Sequence, residues 1–236
     1  MRFGILAPMP SELRPVVKAF GLRRGRHGDL DGHVGRVGEA DVVATTTGIG
    51  TELATAAARR LLAAGGIDHV VVVGIAGAIG PTRAVPDLVV PAVVADWPEG
   101  REFRPDPLGP LVGEGAIVTS DEYGYDPEVI ADFIGRGVVA VDMETVAVAE
   151  VCVAAGVPWS AVRAISDRAD DETVNQDVIG LVKPDGSPDL GRSLRYLARH
   201  PGRLPHLAAL GRNATAAARA AARTAADACA RHSVGA

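Results

Sequence analysis

Short β-branched runs alternate with helix-period runs through residues 2–167, and this alternation constrains the fold more than any other feature of the chain. RFGILA (2–7) reads as a buried strand, and PSELRPVVKAF (10–20) as a helix with Pro10 early and Ser11 near its start. HVGRVGEADVVATTT (33–47) reads as two strands joined by a Gly-Glu turn, and GIGTELATAAARRLLAAGG (48–66) as a loop entering a helix that stops at Gly65-Gly66. HVVVVGIAGA (69–78), DLVVPAVVAD (87–96), GAIVTSD (115–121) and PWSAVRAISD (158–167) read as further strands. DPEVIADFI (126–134) is a short helix, and VVAVDMETVAVAEVC (138–152) is a strand followed by a helix. Strands alternating with helices predict an α/β fold: a mixed, mainly parallel twisted sheet with helices on both faces. No repeat and no long linker divides the chain, so residues 1–236 are expected to form one domain, with 182–236 as a helical C-terminal extension. In that extension 182–193 reads as a Pro/Gly/Asp-rich loop, and 213–232 as an alanine-rich helix with Asn213 as N-cap. Arg219, Arg223, Asp227 and Arg231 recur every four residues, which predicts one solvated helix face.

Composition narrows the function classes. The net charge of −5, with no basic stripe, argues against nucleic-acid and anionic-membrane partners. No apolar run reaches the ~18 residues that span a bilayer. Met1-Arg2 leads straight into a strand with no signal peptide, so a cytoplasmic protein is expected, with Cys152 and Cys229 as reduced core thiols. GIGTEL (48–53) follows a strand and opens a helix, but Leu53 stands at the third glycine of a dinucleotide fingerprint, and no acid follows about 20 residues on. There is no P-loop, no G-x-S-x-G, no CxxC and no metal-ligand histidine spacing, so neither a cofactor nor a metal is implied. His69 is expected to be a polar lead-in to its strand.

What remains is a set of acids, hydroxyls and glycines at strand C-terminal ends. They comprise Glu12, Thr45–Thr47 with Gly48–Gly50, the small-residue loop from Gly74 to Gly80, Glu144, and Ser166-Asp167. Ligands of open α/β sheets bind beyond the carboxyl ends of strands, so these loops predict one shared pocket. Each acid taken singly is equally readable as a helix N-terminal carboxylate favoured by the dipole.

GILAPMPSE, TTTGIG, VVVGIAGA, VDMETVAVAEVC and VRAISDRAD resemble, in order and spacing, the nucleoside phosphorylase and nucleosidase superfamily. The resemblance runs over residues 2–171 and is nearest to the 5'-methylthioadenosine/S-adenosylhomocysteine nucleosidase branch. It implies cleavage of an N-ribosyl bond through an oxocarbenium-like sugar, the electronic problem also met in glycoside hydrolysis. It implies Asp167 as the general acid at purine N7, oriented by Ser166, and Glu12 as the base that activates water, helped by Arg163. It also implies Glu144 as the ribose ligand with Met143 under the sugar, and Met9, Ile49, Ala76 and Gly77 as pocket lining. Tyr123 or Tyr125 is the expected purine-stacking aromatic, and Asp142 is expected to cap the following helix. The family's homo-oligomers imply a homodimer.

Two positions depart from the family pattern. Ile75 stands where the nucleosidases usually carry a small polar residue, and TSDEYGYDPE lacks their D-A-F segment. The extension is longer than in the methylthioadenosine enzymes and resembles relatives that act on adenosylhopane. The expectation is therefore a purine nucleosidase releasing adenine. A phosphate-dependent phosphorylase, an adenosylhopane-type nucleosidase and a non-catalytic nucleoside-binding module are the alternatives.

Overall fold

The structure, a computed structural model, describes residues 1–122, 125–169, 183, 185, 187 and 189–235. One sheet of eleven strands runs in the order β2-β3-β4-β1-β5-β10-β9-β7-β8, with β11 paired to β5 and to β6. The central strands are β1 (Arg2–Ala7), β4 (Ala40–Thr46), β5 (His69–Ala78), β10 (Val138–Asp142) and β11 (Trp159–Arg168). β1 is parallel to both β4 and β5, and β5 is parallel to β11 over nearly its whole length. β9 (Ala116–Thr119) is parallel to β10 and to β7 (Val93–Asp96). The antiparallel pairings include the outer ones, among β2 (Arg23–His27), β3 (Leu30–Val37) and β4, between β7 and β8 (Glu102–Phe103), and between β6 (Leu88–Val89) and β11. β10 also crosses the end of β5 in the antiparallel sense. The mixed sheet with parallel central strands is the expected one.

Two apolar layers sandwich the sheet. On one face α2 (Thr51–Ala63) and α4 (Thr145–Ala155) bury Leu61, Val148 and Cys152 against Val70, Val72 and Ile165. On the other, α1 (Pro10–Ala19) and a 32-residue helix, α6 (Leu204–Gly235), cover Phe3, Ile5, Val71 and Val162. A shorter α3 (Pro127–Gly135) packs Phe133 against Ile79 and Val118, and α5 (Leu190–Arg199) precedes α6.

The structure corrects several boundaries. α6 begins at Leu204, so Asn213 lies inside the helix rather than capping it. Pro205 sits in the first turn, where a missing N–H costs nothing, and the Leu- and Ala-rich segment after it propagates the helix more readily than an internal Asn can stop it. α5 starts at Leu190 inside the expected loop, capped by Asp189, whose Oδ1 accepts from the Arg192 amide at 2.9 Å. Strand 87–96 divides into β6 and β7 around Pro91, which has no N–H to give a ladder. β2, RRGRH, has no apolar alternation and pairs only with β3 at the sheet's edge. The charged stripe at Arg219, Arg223, Asp227 and Arg231 is exposed as expected, and both cysteines are buried and unpaired.

Alanine is what lets α6 approach the sheet. Ala217, Ala221, Ala222, Ala225 and Ala228 are fully or almost fully buried against β5, β11 and α1. Ala221→Leu forces three extra carbons into that seam and is expected to lower stability by ~1–3 kcal/mol, read as a reduced urea midpoint. The helix is also fastened near its end. The Gly109 amide donates to His232 Nδ1 at 3.1 Å, and His232 stacks edge-on against Phe3 and His69. His69 in turn reaches the Ser160 hydroxyl at 2.7 Å, and burial pushes its imidazole down to about 4. His69 is thus a bonded core histidine, as its sequence context suggested.

Candidate active site

The loops expected to share a pocket do so. A cavity of about 310 Å³ opens beyond the carboxyl ends of β1, β4, β5, β10 and β11, with Met9, Glu12, Ile49, Ala76, Gly77, Tyr125, Met143, Glu144, Ser166 and Asp167 all in its wall. Tyr123 lies outside the described residues, so Tyr125 is the aromatic that can be placed there. Tyr125 meets Phe133 edge-on at 5.3 Å, which fixes its ring at one side of the cavity.

Glu12 sits in the first turn of α1 and is almost wholly buried. Its two carboxylate oxygens accept from two backbone amides, Met9 N at 2.9 Å and Ile75 N at 2.8 Å. Burial pushes the Glu12 carboxyl up from 4.5 to about 7, against the opposing pull of Arg163 and those amides. A group poised there exchanges a proton readily near neutral pH.

The GIG loop needs its glycines. Gly48 and Gly50 adopt φ of 88° and 95°, a region costly for any residue with a Cβ. Their turn presents the Gly50 amide to Glu144 Oε1 at 3.1 Å and the Thr51 amide to Asp121 Oδ1 at 2.9 Å. Burial again raises the Glu144 carboxyl, with Asp142 and Glu12 adding to the effect and Arg163 opposing it.

Asp142 is not the cap residue of α4, a position that Glu144 takes, and its contacts go further. It accepts the Glu144 and Thr145 amides at 3.3 Å each, as a cap would, and also the Thr119 hydroxyl at 2.6 Å and the Thr145 hydroxyl. Its closest charged partner is Arg163 Nη2, at 2.6 Å. Arg163 is fully buried and does not belong to the cavity wall; its guanidinium lies behind the wall, between Asp142, Glu144, Thr145 and the Ile75 carbonyl. The expectation that Arg163 holds a water or a developing charge directly is therefore replaced by a role one layer back. The physical reason is that the anion of Asp142 attracts the cation more strongly than an open cavity does.

A strand normally turns successive side chains to opposite faces, yet Ser166 and Asp167 both line the cavity. The β11–β5 register shifts between Ile165 and Asp167, a bulge that brings the two neighbours to one side. There the Ser166 hydroxyl donates to Asp167 Oδ1, fixing the half-buried carboxylate.

Sequence reasoning pointed to the C-terminal extension as a candidate shaper of the pocket but named neither of the residues through which α6 reaches it. Leu210 and Ala214 are part of the cavity wall. They carry no motif, and only their i, i+4 spacing on the long helix connects them. Pro8, Ser120, Glu122, Asp142 and Arg168 also belong to the lining. Among the described residues no cluster of His, Cys, Asp and Glu is placed to hold a metal ion.

The chain is similar to known proteins over most of its length. The family model described as "Phosphorylase superfamily" matches residues 2–133 and 106–195. The 5'-methylthioadenosine/S-adenosylhomocysteine nucleosidase of Chromohalobacter salexigens is 29% identical over 203 residues, covering 73% of this chain and 86% of that one. The aminodeoxyfutalosine nucleosidase of Helicobacter pylori is 24% identical over 204 residues, covering 72% and 87%. Among solved structures, the 5'-methylthioadenosine/S-adenosylhomocysteine nucleosidase of Campylobacter jejuni superposes with a TM-score of 0.71 at 19% identity, over 98% of this chain and 99% of that one.

Proposed function

Because this chain belongs to the phosphorylase superfamily, we propose that it hydrolyses the N-ribosyl bond of a 5'-substituted adenosine-type nucleoside and releases adenine. The observation that carries this reading is the pairing of Glu12 and Asp167 in the wall of one cavity with Glu144 and Met143 beside them. Glu12, with a carboxyl near 7, takes the proton of an attacking water. Asp167, aimed by Ser166, protonates the departing purine at N7, so that it leaves neutral rather than as an anion. Glu144 accepts the ribose hydroxyls from its seat on the GIG loop, and Met143 packs under the sugar. Tyr125 flanks the purine. A module that only bound nucleosides would need neither a buried base nor an acid steered by a neighbouring hydroxyl. The named nucleosidase relatives, similar over most of their length, support the same reading.

Phosphorolysis fits the cavity less well. Among the described residues the wall carries five carboxyl groups, Glu12, Glu122, Asp142, Glu144 and Asp167, against the one cation Arg168, and Arg163 is held behind it, so an incoming phosphate would meet more repulsion than attraction. One specific observation favours a variant of the main reading. Leu210 and Ala214 make the α6 wall apolar, which suits a hydrocarbon-like 5' substituent, as in an adenosylhopane-type substrate, better than a charged one.

The proposed enzyme is cytoplasmic, in keeping with two unpaired buried cysteines, and homodimeric, in keeping with the exposed apolar residues Leu53 on α2 and Val153 on α4. No helix among the described residues is long and apolar enough to cross a membrane. The deciding experiment measures adenine release from methylthioadenosine, S-adenosylhomocysteine, 5'-deoxyadenosine and an alkyl-extended 5'-deoxyadenosine, with and without phosphate. Release independent of phosphate is expected, and release only with phosphate overturns the hydrolase.

A further inference from the structure

Three acids of the cavity wall meet one arginine behind it, and the hydrogen bonds among them are unequal. Asp142 receives Arg163 Nη2 at 2.6 Å, whereas Glu144 receives the same nitrogen at 3.4 Å. The donors also converge on Asp142: the Thr119 hydroxyl, the Thr145 hydroxyl, and the amides of Glu144 and Thr145. Thr145 works on both partners, since its Oγ1 donates to Asp142 and accepts from Arg163 Nη2 at 2.9 Å and Nε at 3.3 Å. Thr119 is itself fixed by the Val146 amide, which donates to its hydroxyl at 3.1 Å. The two hydroxyls and the arginine go beyond what capping a helix requires.

We propose that Asp142 is a positioning residue: with Thr119 and Thr145 it holds the Arg163 guanidinium behind the cavity wall, which leaves the Glu12 and Glu144 carboxylates facing the cavity. Without Asp142, the cation's remaining neighbours in this cluster are the two glutamates. It would then pair with the groups that must handle water and sugar. Glu12 is held by two amide N–H groups, with its carboxyl near 7, the condition of a base kept from a full ion pair. The titratable and charged groups facing the cluster are Glu12 from α1, Asp142 and Glu144 from the β10–α4 junction and Arg163 from β11. Asp167, Arg168, Glu122 and Tyr125 face the same cavity.

The test uses carboxyl 13C NMR on glutamate-labelled protein, assigned with Glu12→Gln and Glu144→Gln, together with the pH profile of kcat/KM for adenine release. Asp142→Asn is expected to lower the Glu12 and Glu144 midpoints by about one pH unit and to move the acid limb of the profile down with them. Asp142→Glu is expected to restore both. Thr145→Val shifts the midpoints in the same direction by less, and it carries the test if Asp142→Asn does not fold. A merely structural role would reduce the amplitude of the profile without moving its limb. Unmoved midpoints in a folded variant overturn the proposal. The activity arm rests on the proposed nucleosidase reaction; the NMR arm does not. Wild-type protein that releases no adenine while its glutamates still shift on substitution therefore counts against the reaction and for the positioning role.

Discussion

Glu12→Gln and Asp167→Asn are each expected to lower kcat for adenine release by ~10²–10⁴-fold, the usual loss when a positioned base or acid is removed, with nucleoside binding retained. Binding should survive because, in the proposed reading, Glu144, Met143 and Tyr125 hold the ribose and the purine ring and are left in place. The pH dependence follows from the burial of Glu12. A base must be ionised to act, and this carboxyl ionises at about 7 instead of 4.5. The kcat/KM of the wild type is therefore expected to fall as pH drops through 7, by about tenfold per unit well below it. Stability runs the opposite way. A carboxyl whose folded pKa is raised binds its proton more tightly when folded, so its contribution is fully present below 4.5 and is lost as pH rises through 7, a change of ~3 kcal/mol at most. Activity and folding stability thus have opposite slopes over that window. Steady-state assays from pH 5 to 9, paired with urea melts, read both. A Glu12→Gln enzyme that keeps more than a tenth of the activity at pH 8 removes Glu12 from the role of base.

The second large effect is expected at a residue with no side chain. A Cβ on Gly74 would lie 2.4 Å from Arg163 Nη1, 2.4 Å from Glu12 Oε1 and 3.1 Å from Pro8 Cδ. Neither charged group can yield cheaply, because each is buried and bonded on its other side. Gly74→Ala must therefore displace the base, the arginine, or both. A displacement on the order of 1 Å at a catalytic group costs ~10²-fold in rate, and that is the expected fall in kcat/KM. Since β5 is paired to β11 along nearly its whole length and to β1 over His69–Val72, the sheet should remain assembled and the circular dichroism unchanged. A variant with more than half the activity would mean that the junction has more room than these distances allow.

The α/β class and the shared pocket were legible because they depend on local signals: β-branched runs, the DME and ISD strand ends, and glycines where the backbone turns. Of the described residues expected there, Met9, Glu12, Ile49, Ala76, Gly77, Tyr125, Met143, Glu144, Ser166 and Asp167 line the pocket, whereas Thr45–Thr47 and Arg163 do not. What the sequence hid was set by contacts between distant segments. Arg163 could be placed near the acids, but whether it entered the cavity or stood behind it depended on Asp142 and on the threonines 119 and 145. Bulging at Ser166 depends on register against β5, which no residue of β11 announces by itself. Edge strand β2 has too few apolar residues to betray a strand, and helix α6 began nine residues before the cap chosen for it because local capping preference is weaker than helix propagation.

Helix α6 separates two duties along a single rod. Over its 32 residues its middle is locked into the core by alanines and its far end is tied down by His232, while the cavity is touched only near its start, by Leu210 and Ala214 one turn apart. Enlarging or shrinking those two side chains alters which nucleosides enter without touching the seam that keeps the helix in place or the carboxylates of the cavity wall. Substrate preference can therefore drift through two positions of one helical turn while the reaction and the architecture are inherited unchanged.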